Sequence, residues 1–159
     1  MSSRTGIGID FHQLEVGTKL ILGGIEIESD KGSKGHSDGD ALIHAIADAI
    51  LGAANLGDIG KLFPSNDKSY EGAESRIFLE HILTMISPSY RIVNIDSTII
   101  LQSPKIGDLT YSMQDNIANI LSIDPFQVSV KATTTDYLGF IGKGDGVGAI
   151  SIVQLEEKQ

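Results

Sequence analysis

Residues 35–50 read GHSDGDALIHAIADAI, and the fold turns on what this run becomes. From Ala41 onward Ala, Ile and Leu dominate, which predicts a helix from about Asp40 to Asn55 that stops in the Gly57 region. Leu42, Ile43, Ile46 and Ile50 take its core-facing side, while Asp40, His44 and Asp48 share a stripe at successive i, i+4 steps. Ser37 or Asp38 is placed to cap the start, and the free N–H groups of the first turn form an anion site. Capping accounts for one of the polar residues but leaves His36 spare.

The chain on either side supplies strands. TGIGIDFH (5–12) alternates, with Ile7, Ile9 and Phe11 on one face and Gly6, Gly8, Asp10 and His12 on a second, polar and uncrowded face. KLILGGIEI (19–27) reads as a hairpin closed by Gly23-Gly24, followed by a polar loop over 28–39. After the turn-rich GDIGKLFPSND (57–67) come a helix at 72–86, a strand at 90–102, a helix at 107–121 and strands at 126–132 and 147–155. With no repeat, linker or low-complexity tract, residues 1–159 are expected to form a single α+β domain, a mixed sheet with helices packed on one side.

Composition excludes several classes of function. The chain has no cysteine, so disulfides, thiolate metal sites and cysteine nucleophiles are absent and any metal falls to His and carboxylates. A net charge of −9 argues against nucleic acid or an anionic membrane as partner, which leaves small molecules and protein subunits. There is no apolar run of membrane-spanning length, and MSSRTGIGID has neither a secretory nor a transit pattern, so a cytoplasmic location is expected.

Asp10 and His12 lie two apart on a strand and point the same way, and the glycines beside them leave room. An Asp-x-His pair alone is usually a solvated strand surface, but His44 offers a third donor. The three suggest an Asp-His-His zinc site with an open fourth position, and Asp48 is the candidate to orient the His44 imidazole. Three further stretches suit a phosphorylated ligand: GDIGKLFP with Lys61, QSPKIG (102–107) with Lys105, and KATTTD (131–136) with three hydroxyls and an acid. GFIGKGDGVGA (139–149) runs into a strand rather than a helix, so its glycines are not a dinucleotide fingerprint.

DFH (10–12), HSDGDALIH (36–44), LGAANLGDIGKLFP (51–64), SPK (103–105) and KATTTDYLGFIGKGDG (131–146) together resemble the 2-C-methyl-D-erythritol 2,4-cyclodiphosphate synthases of the non-mevalonate isoprenoid pathway, over essentially the whole chain. The resemblance implies a phosphorus–oxygen lyase. The 2-phosphate of a cytidine diphosphate ester of methylerythritol attacks the β-phosphorus, and CMP leaves. It implies zinc on Asp10, His12 and His44, with the diphosphate at the fourth position. His36 and Thr134 would stabilise charge developing at phosphorus, with Ser37 beside them, and Asp136 would hold a second ion, Mg²⁺ or Mn²⁺.

By the same resemblance Asp58 and Gly60 contact the erythritol part, and Ser103, Pro104, Lys105 and Ile106 with Ala132 and Thr133 form the cytidine pocket of a neighbouring subunit in a homotrimer. Lys61, Thr135, Phe140 and Lys143 complete the expected substrate contacts. The chain departs from the family pattern at Asp136, where Glu is usual, at Lys143, where Arg is usual, and at Asp145, where Glu is usual. The competing readings are a zinc-dependent phosphohydrolase and a non-catalytic trimeric protein that binds metal or isoprenoid.

Overall fold

The computed structural model describes residues 2–159. In chain order the elements are β1 (Ser3–Val16), β2 (Leu20–Leu22), β3 (Ile25–Ile27), β4 (Lys31–Ser33), α1 (Ala41–Ala54), the one-turn α2 (Ile59–Leu62), α3 (Arg76–Ile86), β5 (Tyr90–Ile100), α4 (Thr110–Leu121), β6 (Val128–Thr133), the one-turn α5 (Gly139–Gly142) and β7 (Gly146–Glu157). The main sheet runs β4-β1-β7-β5-β6, and β2 pairs with β3 in a separate hairpin. Among the described residues only β5 and β6 pair in parallel, so the sheet is mixed, as expected. Helices α1, α3 and α4 cover one face. Leu42, Ile46 and Ile50 from α1, Leu79 and Ile82 from α3 and Met113 and Ile117 from α4 are buried there with Ile95, Ile99, Val147 and Val153 of the sheet. Each such side chain contributes about 1.5–3 kcal/mol relative to exposure.

The two faces of β1 divide as the alternation indicated, but the face with Gly6 and Gly8 is not uncrowded. Gly6 and Gly8 face α1, and they are glycines because a Cβ at Gly6 would overlap the backbone of Ala49 and one at Gly8 that of Ala45. The expected open space is filled by helix backbone. Ile7, Ile9 and Phe11 instead point to solvent, at 60%, 52% and 47% exposure, and Ile152 of β7 lies among them.

This close approach sets the register of the site. Two strand residues advance about 6.6 Å and four helix residues about 6 Å, so each step of two along β1 matches a step of four back along α1. Gly6 meets Ala49 and Ala53, Gly8 meets Ala45 and Ala49, and the next residue in the series, Asp10, comes within reach of His44.

Two boundaries also differ. The expected loop at 28–39 contains β4, whose Lys-Gly-Ser has no strand character of its own but pairs with Leu14–Val16 because β1 continues past His12. The helix expected over 72–86 begins only at Arg76, after Gly72 at φ +71°.

Candidate metal centre and active site

Asp10, His12 and His44 converge as the sequence suggested, and their ligand atoms all lie within 4.8 Å of one another. Asp10 Oδ2 is 2.7 Å from His12 Nε2 and 3.2 Å from His44 Nδ1, and the two imidazole nitrogens are 3.2 Å apart. A tetrahedral ion with bonds of about 2.0–2.1 Å holds its ligands roughly 3.3–3.4 Å apart, so the three donors fit a small divalent cation. Burial works to raise the Asp10 carboxyl, but hydrogen bonding and charge from His12 and His44 outweigh it and hold it below the usual value. Burial likewise works to lower His12, and Asp10 outweighs it in the other direction. His12 Nδ1 lies 3.1 Å from the Lys34 carbonyl, which fixes the outer side of its ring.

Two roles read from the sequence change hands. The N-cap of α1 is Asp40, not Ser37 or Asp38: its Oδ1 accepts from Ile43 N at 3.0 Å and Gly23 N at 2.9 Å, and its Oδ2 from Gly24 N at 2.7 Å. A buried carboxylate therefore occupies the helix start and ties it to the β2–β3 hairpin, so this end offers no free anion site. Asp48 does not orient His44. Its carboxylate accepts from Ile59 N at 2.8 Å, which anchors α2 beside the site. The groups on His44 Nε2 are Ser75 Oγ at 2.8 Å and Ser37 Oγ at 3.3 Å, and Ser75 was missed because 31 residues of chain separate it from His44.

A cavity of about 420 Å³ opens from the triad, lined by His12 and His44, by His36 and Ser37, by Gly60, and by an apolar wall of Ile59, Phe63, Tyr70 and Phe78. Phe63 stacks on Phe78 with centroids 4.6 Å apart. Asp58 caps α2 through Lys61 N at 2.9 Å, and Lys61 projects into solvent with its Nζ 4.0 Å from Asp58.

The remaining sequence-predicted residues lie elsewhere. Ser103 and Pro104 line a different cavity of about 520 Å³ with Lys31 and Gly144, and the two cavities share no lining residue. Lys105 is exposed, whereas Ile106 is buried in the core, so its side chain is not available to a ligand. Ala132 and Thr133 end β6 at the sheet edge, and Thr134, Asp136, Phe140 and Lys143 follow, all exposed. Thr134 Oγ1 accepts from Asp136 N at 3.2 Å, and Thr135 Oγ1 donates to Leu138 O at 2.8 Å. Asp136 and Tyr137 are both left-handed, at φ +53° and +64°.

Strand register puts this group level with the triad. His12 pairs with Val147, Gly148 with Ile100 and Ile100 with Thr133, so Thr134 lies at the height of His12, three strand spacings away. That distance is roughly 14–15 Å. One chain therefore carries two groups of chemistry-bearing residues at the same end of its sheet, on opposite sides.

The sequence profile of the YgbB family matches residues 3–156. The chain belongs to the YgbB family. Among curated relatives it is similar to the 2-C-methyl-D-erythritol 2,4-cyclodiphosphate synthase of Clostridioides difficile, 52% identical over 96% of this chain and 95% of the relative, and to that of Chloroherpeton thalassium, 49% identical over 97% and 99%. Among solved structures, the bifunctional IspDF from Campylobacter jejuni superposes with a TM-score of 0.95 at 42% identity, covering 99% of this chain, which spans only 43% of that longer protein. The CDP complex of IspF from Plasmodium falciparum superposes at 0.87 with 37% identity, covering 99% and 98%. This YgbB-family chain thus carries the Asp10-His12-His44 triad at the mouth of a half-apolar cavity, and Ser75, buried behind it, is a neighbour that no sequence motif announced.

Proposed function

We infer that this chain converts 4-diphosphocytidyl-2-C-methyl-D-erythritol 2-phosphate to 2-C-methyl-D-erythritol 2,4-cyclodiphosphate, the reaction its relatives are named for, acting as a phosphorus–oxygen lyase of the cytoplasm. An oxygen of the 2-phosphate bonds to the β-phosphorus, the bond from that phosphorus to the α,β-bridging oxygen breaks, and CMP departs with it. The observation that carries this reading is the three-donor cluster opening into a cavity with an apolar wall, in a chain matched to synthases along its full length.

Asp10, His12 and His44 would hold Zn²⁺, a choice supported by two imidazoles and one carboxylate at tetrahedral spacing. When bound, such an ion polarises a phosphate oxygen and neutralises charge on it. His36 and Ser37, on the rim of the same cavity, would donate to the phosphates, and the wall from Ile59 to Phe78 would receive the methylerythritol part beside Asp58 and Gly60, with Lys61 at the solvent side. Phosphoryl transfer needs positioning and charge neutralisation more than covalent help, which suits this inventory. Asp136, a lone exposed carboxylate, would hold Mg²⁺ or Mn²⁺ together with phosphate oxygens, the usual binding mode for such ions.

We propose further that the active unit is a homotrimer with sites between subunits. Thr134 and Asp136 follow the β6 edge, three strand spacings from the triad of the same chain, so a copy bringing its β6 edge to this chain's triad completes the site. The exposed Ile7, Ile9, Phe11 and Ile152 supply an apolar face for association. Ser103, Pro104, Lys105 and the backbone of Ile106, with Ala132, Thr133 and Thr135, would then receive the cytidine, in keeping with the CDP complex of the Plasmodium falciparum relative. Phe140, whose ring packs edge-on against Phe11 at 6.0 Å, and Lys143 would border that pocket.

The test is release of CMP from the cytidylyl substrate with and without chelator, with the phosphorus products identified. Metal-dependent CMP and cyclodiphosphate are expected. Inorganic phosphate would indicate the hydrolase reading, and zinc binding without turnover the non-catalytic one.

A further inference from the structure

Ser75 stands at the N-cap of α3, where a serine oxygen ordinarily accepts a backbone N–H from the first turn, yet it makes no such bond. Its fully buried hydroxyl is used elsewhere. Oγ lies 2.8 Å from His44 Nε2 and donates to Asp38 Oδ1, while Asp38 Oδ2 accepts from Ser75 N at 2.8 Å. Asp38 is held in turn by Asp40 N, which donates to Oδ1 at 3.1 Å.

The proton directions follow from donor and acceptor capacity. An ionised carboxylate only accepts, so the Ser75 proton is committed to Asp38 and the serine oxygen is left to accept. His44 Nε2 must then be the donor. A neutral imidazole protonated on Nε2 has its lone pair on Nδ1, and Nδ1 is the atom that faces Asp10 and His12. Ser37 Oγ reaches the same Nε2 only at 3.3 Å, on the cavity side.

We propose that Asp38 and Ser75 form a positioning relay that fixes the tautomer and ring orientation of His44 for a divalent cation. The proposal rests on the metal-binding reading of the triad. The relay holds the ligand ready before the ion arrives, so its loss is felt in metal affinity, where partners behind a ligand contribute about 10- to 100-fold.

The test uses the full chain with zinc as the probe. Competition against a chelator gives the zinc affinity of the wild type, Ser75→Ala, Asp38→Asn and the double variant. Ring ¹⁵N spectra of the zinc-loaded proteins follow the His44 Nε2 proton. The relay predicts an exchange-protected Nε2 proton in the wild type that is lost in Ser75→Ala. It also predicts a 10- to 100-fold weaker zinc affinity in each single variant and no further loss in the double, because both changes break one chain of bonds. Single variants within about twofold of the wild type, or additive losses in the double, would overturn it. If Ser75→Ala does not fold, Asp38→Asn and the wild-type ring proton still decide, since a rapidly exchanging Nε2 proton in the loaded wild type contradicts the relay. A wild type that binds no zinc overturns the metal reading instead.

Discussion

At the β1–α1 end of the sheet, Asp10, His12 and His44 are fixed by contacts at backbone distance: glycines on the strand, alanines on the helix and Asp40 bonded to three N–H groups at the helix start. Across the sheet, Thr134 and Asp136 stand in solvent on a turn with two left-handed residues, held mainly by bonds within the turn. The first group is a set of three metal-ligand donors held close together by the fold. The second lacks a wall opposite it, as the proposed sharing of sites between subunits requires of a single chain.

The comparison is broken most severely by His44→Ala. Zinc content should fall to background and CMP release by about 10³-fold or more, with circular dichroism unchanged, because His44, though buried, lies outside the apolar cluster that holds α1 to the sheet. Stoichiometric zinc in that variant would falsify the triad as the metal site. On the other side, Thr134→Ala should slow CMP release by about 10²-fold while zinc content and Tm stay at wild-type values, since the side chain is exposed. A fall in Tm like that of a core variant would show the turn to be structural.

Stability separates the two ends in the opposite sense. Gly8→Ala places a methyl group into the backbone of Ala45 and should destabilise the fold by about 1–3 kcal/mol or more. Gly139→Ala meets no neighbour within 4 Å and carries only the strain of φ +64°, about 1 kcal/mol. Equal losses in urea unfolding would remove the contrast.

The pH dependence is a smaller effect with opposite signs at neighbouring carboxylates. Burial pushes Asp40 up to about 6 from 3.8, against its three N–H donors and with help from Asp38. Its folded form binds the proton more tightly than the unfolded chain does, so its contribution is complete below 3.8 and is lost as pH rises through about 6. Asp10 is raised by burial but lowered overall by its histidines, so its contribution is present above 3.8 and is lost as pH falls. Unfolding free energies against pH for the metal-free wild type and Asp40→Asn should differ by a curve that bends between those two values. A constant difference would contradict the assignment.

The smallest expected change is at Asp136, which is one methylene shorter than the Glu usual in the family. Mg²⁺ keeps bonds near 2.0–2.1 Å and gives up water reluctantly, so we expect Asp136 to hold it through a water. Asp136→Glu should then lower the Mg²⁺ concentration for half-maximal CMP release by about threefold, and Asp136→Asn should raise it, with zinc content unchanged. Identical Mg²⁺ responses would remove Asp136 from the metal side.

What the sequence disclosed follows the range of its signals. The α1 helix was legible because Ala, Ile and Leu repeat over fourteen residues, and the triad because Asp10 and His12 share a strand face and His44 is the only histidine on that helix. The room expected beside Gly6 and Gly8 was misread because glycine on a strand signals either empty space or close backbone approach, and only the alanines at 45, 49 and 53 of a distant helix decide between them. Asp40 displaced Ser37 and Asp38 as cap because the hairpin glycines supply two of its donors across 16 and 17 residues of sequence. Ser75 falls inside the helix expected over 72–86, and nothing local reveals that its hydroxyl turns to His44 and Asp38.

The proposed sharing of sites between subunits is tested most directly by mixing two impaired chains. His44→Ala lacks the triad and Thr134→Ala lacks the opposite group, so in co-expressed trimers a site regains both halves when an intact triad meets an intact β6 edge. At equal and random mixing each half is intact with a chance of one in two, so about a quarter of wild-type CMP release should return. Activity no higher than the sum of the two parent variants, in trimers shown to contain both chains, would contradict the account.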